Sequence, residues 1–267
     1  MKSKLFCKNL SASYGDKKIL NNVSIEVNQG EFVALCGLNG IGKSTLLTLM
    51  AGLENPGLDV VGEVMPSILQ ADASGQVDDP VTISQLPRKK CAQLISYMQQ
   101  SEYSVWDFSV FDFILQGRYP YSNHGLFSKS EKMKVEEIIR EMDLGLLRDR
   151  KVHSLSGGEM QKVKIARALA QEPLFIILDE PSANLDVVFE PRLLQLLKDL
   201  TRSKNIGVLI SIHDINIPSE FADKICLLSN KGLLSGKYDD IMTLENLKNT
   251  YGADFQWTEK KYFQLSQ

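Results

Sequence analysis

Stretches where every residue is apolar alternate along this chain with stretches where apolar residues recur every three or four positions. Ser24 to Cys36 divides into SIEV and EFVALC at Asn28, Gln29 and Gly30, so two short strands joined by a turn are expected. The second runs apolar from Phe32 to Cys36. A strand without polar alternation suits a parallel sheet covered on both faces by helices. Leu46, Leu47 and Met50 then recur at helical spacing, with Gly52 as a stop. A second buried strand is expected at Leu174 to Leu178 (LFIIL), after a helical stretch, 159–170, whose Val163, Ile165, Ala166 and Leu169 are apolar. A third is Ile206 to Ile212 (IGVLISI). Residues 130–147 read as an amphipathic helix with a serine cap. Strands alternating with helices predict an α/β layered sheet.

The portion from about 90 to 154 shows helical pattern and few buried strands, which predicts a helical subdomain inserted into the sheet domain. Residues 55–87 carry five acidic residues, no lysine or arginine, and many glycines and prolines. A mobile surface excursion is expected there.

Composition narrows the class of partner. With 30 basic and 33 acidic residues among 267, the net charge of −3 gives no field that would draw the chain onto nucleic acid. Cys7, Cys36, Cys91 and Cys226 show no CxxC or Cys/His spacing, so reduced thiols are expected rather than a disulfide framework or a zinc site. The start, MKSKLFCKNL, lacks the apolar run of a secretory signal, and no stretch reaches the roughly eighteen apolar residues a membrane span needs. Any link to a membrane is expected through a partner.

Chemistry enters where the first buried strand ends. Gly37, Gly42, Lys43 and Ser44 fit G-x-x-x-x-G-K-[ST], with the required strand before and helix after. Without side chains the loop backbone can wrap a phosphate chain, its N–H groups and the helix dipole facing the anion. Lys43 is expected at the β- and γ-phosphates and Ser44 on Mg²⁺, with Asn39, Gly40 and Thr45 counted in the same loop. Such a loop says only that a nucleotide binds. Asp179, ending the LFIIL strand, could hold the metal, and Glu180 beside it could accept a proton from an attacking water.

The run LSGGE, Leu155 to Glu159, precedes MQKVKIARALAQEP and the strand ending in LDEP. In order and spacing these motifs resemble the ABC transporter ATPase family. The resemblance covers about residues 4–255 and implies one ABC ATPase domain: a P-loop NTPase core sheet (about 1–89 and 155–250) with an N-terminal antiparallel β portion, the helical subdomain at about 90–154, and a C-terminal extension at about 251–267. It implies that Ser156, Gly157, Gly158 and Glu159 contact the nucleotide of an opposite subunit, two chains enclosing two ATP molecules head to tail. It also implies that Tyr14 stacks on adenine, that the D-loop Asp186 crosses the dimer interface, and that His213 contacts the γ-phosphate. Gln100 corresponds to the glutamine that meets Mg²⁺ and the attacking water, although neighbouring Gln99 leaves that assignment open. His124 and His153 are expected in surface loops. The run LQGRYPY, Leu115 to Tyr121, resembles ATPases that power uptake of iron chelates, haem and cobalamin. The aromatic-rich stretch 105–115 either receives a helix of the membrane subunit or packs the subdomain core.

The implied function is ATP hydrolysis in an importer at the cytoplasmic face of the cell membrane. The implied partners are a homodimeric or heterodimeric second ATPase subunit, an integral permease and, indirectly, a substrate-binding protein. Two rivals remain at this level: a soluble ABC-type ATPase serving iron–sulfur assembly or DNA repair, and a P-loop kinase or GTPase, in which LSGGE has no task.

Overall fold

Alternation and continuity in the apolar pattern sort the strands into two sheets. In the computed structural model, which describes residues 2–53, 55–70, 79–100, 107–182, 189–257 and 263–265, β1 (Lys4–Tyr14) and β2 (Lys17–Asn28) pair antiparallel. Leu5, Cys7, Leu10 and Ala12 of one strand and Leu20, Val23, Ile25 and Val27 of the other face inward. Their register slips between Cys7 and Leu10, where Asn9 adopts the left-handed backbone (φ 48°) that asparagine tolerates. The chain continues through β3 (Phe32–Gly37), α1 (Lys43–Met50), β4 (Asp59–Val61), β5 (Val64–Leu69) and β6 (Val81–Thr82). The first sheet runs β2-β1-β5-β6, with β4 also on β1.

This arrangement corrects the expectation of a mobile excursion over 55–87, as far as those residues are described. β5 lies between β1 and β6 and buries Ser67 and Ile68. Among the described residues, the prolines and glycines that suggested a loop punctuate short strands instead. Pro66 sits where the register with β1 shifts between Phe6 and Lys8, a position at which a missing backbone donor is tolerated.

The remaining elements are α2 (Arg88–Leu94), β7 (Ile95–Met98), α3 (Val110–Leu115), α4 (Lys129–Glu141), α5 (Gly157–Ala170), β8 (Phe175–Leu178), α6 (Phe189–Ser203), β9 (Gly207–Ser211), α7 (Pro218–Phe221), β10 (Lys224–Ser229), β11 (Gly232–Gly236), α8 (Tyr238–Ile241), α9 (Leu244–Tyr251), β12 (Phe255–Trp257) and β13 (Phe263–Leu265). The second sheet has the order β11-β10-β3-β9-β8-β7, parallel except for β11. β7 falls inside the stretch read as helical and forms an edge of this sheet. Its four residues, ISYM, are too few to show a period.

β3 shows why its sequence has no polar member. Val33 and Leu35 enter a core between the two sheets, shared with Leu46 and Leu47 of α1. Phe32, Ala34 and Cys36 enter a second core beneath α3 to α6. Phe175 and Ile177 of β8 face the first core, and Ile176 and Leu178 the second. All four cysteines are free thiols, and burial pushes Cys7 and Cys36 up to about 12, which keeps them unreactive.

The LQGRYPY run is a clamp. After α3 the residues Gln116–Tyr121 form a 3₁₀ turn against the end of α5. A Cβ on Gly117 would stand 2.2 Å from the Arg167 carbonyl oxygen, so only glycine permits the approach. Arg118, 3% exposed, donates to Ala170 O (2.6 Å), Glu172 (2.9 Å) and Glu131 (2.5 Å), and lies over the Tyr121 ring. Pro120 O and Ser122 O accept from Gln93 and Lys89 of α2.

Candidate active site

The glycine-rich loop joins β3 to α1 at the carboxyl edge of the parallel strands, where open α/β sheets bind ligands. Gly42 caps α1 in the left-handed region (φ 109°), and a Cβ there would lie 2.9 Å from Ile19 O. No side chain caps α1 and no acidic residue occupies its first turn, which leaves its first N–H groups for an anion. Lys43 begins the helix, 4% exposed, and donates to Gly37 O (2.9 Å) and Leu38 O (3.0 Å). Burial lowers its pKa, and the charges of Glu180 and Asp179 oppose that shift.

A cleft of about 400 Å³ opens over this loop. Asn39, Gly40, Gly42, Lys43, Ser44 and Thr45 line one side, and Gln100, Glu180 and His213 the other. Ile19 of β2 completes the wall. Asp179, just past the end of β8, is 4% exposed and reaches Lys43 electrostatically. Glu180 adopts φ 47°, and its carboxylate accepts from His213 Nε2 (2.6 Å) and from Gln100 Nε2. The Ser211 hydroxyl of β9 donates to Asp179 Oδ1 (2.8 Å) and accepts from the Glu180 N–H (2.8 Å).

The donor set suits Mg²⁺ shared with phosphate. Among the described residues no three His, Cys, Asp or Glu side chains form a metal cage. Asp179, Ser44 and Gln100 offer a few hard oxygens beside an anion-binding loop, the usual division for a cation completed by substrate phosphates.

Seven residues from Asn39 to His213 that the sequence singled out for this chemistry, counting those above beyond the glycines and Thr45, therefore sit close together, and other candidates stand elsewhere. Gln99 lines a different cavity, beside Arg88, Tyr97 and Gln171, so Gln100 is the glutamine that faces Glu180. Tyr14 ends β1, exposed, near Gly57, and does not line the cleft. Ser156 caps α5 in a capping box with Glu159: its N–H and hydroxyl both donate to the Glu159 carboxylate at 2.8 Å. Those two hydrogen bonds hold the Glu159 carboxyl below its usual range. Gly157 and Gly158 form the first turn, with the Phe189 ring against Gly158. No residue of this turn lines the chain's own cleft. Asp186 and Trp106 lie outside the described residues. His124 is exposed in a turn, and exposed His153 lies 3.2 Å from Asp107.

Sequence reasoning missed Ser211, Ile19 and Phe189. Ser211 had a signal, as the only hydroxyl in the otherwise apolar IGVLISI. Ile19 and Phe189 had none, since each reads as an ordinary element residue.

Residues 20–183, more than half of the chain, match the family model described as ABC transporter. The chain belongs to the ABC transporter family. It is 32% identical over 263 residues to the hemin import ATP-binding protein HmuV of Enterobacter cloacae, covering 95% of this chain and 92% of that one. It is 31% identical over 256 residues to a Bacillus subtilis (strain 168) protein named "Probable siderophore transport system ATP-binding protein YusV", covering 95% and 88%. A solved ABC transporter of metal-chelate type in an inward-facing conformation superposes with a TM-score of 0.78 at 26% identity, covering 100% of this chain and 98% of that one. The fold is thus the P-loop NTPase cassette of that family, and the chain is one of its ATPases. Among the described residues no helix is long and apolar enough to cross a membrane.

Proposed function

We propose that this ATPase is the nucleotide-hydrolysing subunit of an importer for an iron chelate, haem or a cobalamin-type molecule. It works at the cytoplasmic face of a membrane as one of two cassettes attached to a permease, which a substrate-binding protein supplies. The observation that carries the hydrolytic reading is Glu180, held by Gln100 and His213 at the mouth of the glycine-loop cleft.

In this reading Lys43 leaves the carbonyls of Gly37 and Leu38 for the phosphates, where the α1 N–H groups also bind. Asp179, Ser44 and Gln100 would hold Mg²⁺, whose charge would offset that of the phosphate oxygens. Glu180 accepts a proton from the attacking water, while His213 and Gln100 exchange the carboxylate for the γ-phosphate and that water. Positioning and charge stabilisation do most of the work, as in phosphoryl transfer generally. The second protomer supplies Ser156, Gly157, Gly158 and Glu159 to the same nucleotide, with Asp186 crossing the interface and Tyr14 on the adenine. The Ser156 turn is exposed and is not part of its own cleft lining, which supports a role toward another chain.

The importer assignment is supported by the names of the relatives and by the LQGRYPY run. In this reading the cavity of about 430 Å³ between α2 and the β7 edge, lined by Leu53, Ile83, Leu86, Cys91 and Tyr97 next to Gln99, is where a permease helix would dock.

Two measurements test the proposal. Glu180→Gln is expected to bind ATP, accumulate as a dimer, and lose about a hundredfold or more in turnover; wild-type turnover would remove Glu180 from the role. A detergent pull-down with this chain as bait is expected to recover a polytopic membrane subunit, and recovery of soluble partners alone would overturn the importer assignment.

A further inference from the structure

We propose that Ser211 is a positioning residue for hydrolysis: its single hydroxyl fixes both the metal-binding carboxylate of Asp179 and the backbone that aims Glu180. The inference rests on the hydrolytic reading above and deepens it.

Ser211 closes β9, opposite Leu35 of β3, and is fully buried. A hydroxyl in such a place is costly unless its hydrogen bonds are satisfied. Here both are: one partner, Glu180, lines the cleft, and the other, Asp179, immediately precedes it in the chain. The hydroxyl has one proton to give, and it goes to Asp179 Oδ1; its oxygen receives the Glu180 N–H. The direction of each bond is therefore fixed. Engaging Oδ1 sets the plane of the Asp179 carboxylate, and no described residue donates a hydrogen bond to its other oxygen, the one offered to a cation.

The second bond addresses a problem of strand geometry. Along a strand, adjacent side chains point to opposite faces, so Asp179 and Glu180 could not both serve one cleft if β8 simply continued. The chain instead turns at Glu180 into the left-handed region, φ 47°, which a residue with a Cβ adopts only where its surroundings impose it. The Glu180 N–H on Ser211 is one of those impositions. Ser211 touches no substrate atom in this arrangement; it acts through its two neighbours.

Removing the hydroxyl deletes a bond to a charged group and a bond to a strained amide, with little change in volume. Ser211→Ala is expected to bind ATP in EDTA as the wild type does, read by a fluorescent nucleotide analogue. The Mg²⁺ concentration that half-saturates its stimulation of nucleotide binding is expected to rise about tenfold, and kcat to fall about tenfold to a hundredfold with KM little changed. In the Asp179→Asn background, Ser211→Ala should add no further Mg²⁺ shift, because the two changes remove one interaction. Wild-type Mg²⁺ dependence and kcat in folded Ser211→Ala would overturn the inference. So would a loss that appears equally in EDTA, since that is the mark of a general structural role. Asp179→Asn and Glu180→Gln run alongside: if they also hydrolyse normally, the hydrolytic reading itself fails, and if they are inactive while Ser211→Ala is normal, only the role of Ser211 fails.

Discussion

His213 Nε2 lies 2.6 Å from Glu180 Oε2, joining a nearly half-exposed imidazole to an almost buried carboxylate across the mouth of the nucleotide cleft. Gln100 donates to the same oxygen. The group assigned to accept a proton from water is thus engaged by the residues assigned to the γ-phosphate and to that water. They must let go of it before it can act.

That relationship predicts strong coupling between the two residues. Glu180→Gln and His213→Ala are each expected to lower kcat by about a hundredfold or more. The double variant should be little worse than either one, because the residues act as a unit. Steady-state hydrolysis by the three variants checks this, and simple multiplication of the two effects would contradict it.

Lys43 predicts a separation of binding from stability. Its ammonium is almost wholly buried, on two carbonyls, and burial pulls its pKa down. Lys43→Met is expected to lose ATP binding while the thermal midpoint of the nucleotide-free protein stays the same or rises, since a desolvated charge is replaced by an apolar chain. A nucleotide titration and a melting curve on the same sample measure both.

Gly158 and Phe189 predict a suppressor pair. A Cβ at 158 would lie 2.6 Å from two carbons of the Phe189 ring, so Gly158→Ala must displace either the ring or the first turn of α5. Gly158→Ala is expected to weaken ATP-driven dimerisation of the Glu180→Gln protein. Phe189→Ala, which removes a partly exposed ring, is expected to restore much of it. Sedimentation with and without ATP distinguishes rescue from a second, independent loss.

The Arg118 clamp predicts a pH dependence. Burial works against ionised Glu172, yet the Arg118 and Lys134 charges outweigh it and hold its carboxyl below 4.5, the ordinary value. A carboxyl with a depressed folded-state pKa contributes stability that is present above 4.5 and lost as pH falls through the lower folded value. Glu172→Gln should therefore be less stable than the wild type at pH 7, and the difference should shrink on acidification below 4.5. Arg118→Ala, which strands the largely buried Glu131 and leaves Glu172 only Lys134, is expected to cost about 3 kcal/mol at neutral pH, and Arg118→Lys should restore little, lacking the guanidinium fork. Urea unfolding across pH gives both quantities.

How much was legible depended on whether the signal was local. The glycine loop, Asp179 and Glu180 could be read because their chemistry sits in one short run beside a buried strand, and the parallel sheet because β3, β8 and β9 are apolar on both faces. β5 could not be read, because a short strand broken by Pro66 resembles a loop until β1 is seen beside it. β7 hid in a helical neighbourhood for want of length. Ser211 escaped notice because its meaning lies in two partners about thirty residues upstream, which β8 and β9 bring together. Gln99 and Gln100 are one residue apart and equal in chemistry, and only the direction of the backbone after β7 separates them.

The clamp at the end of α5 has a mechanical corollary. Fourteen helical residues, roughly 21 Å of rod, separate the serine cap from Ala170, whose carbonyl Arg118 grips. The same grip reaches α2 through Pro120 and Ser122. A push delivered at α2 would swing the far tip of that rod as a lever does, with no need to bend it. The serine cap and α2 would then move in one stroke, and the spelling that pointed to a cargo would mark a hinge pin.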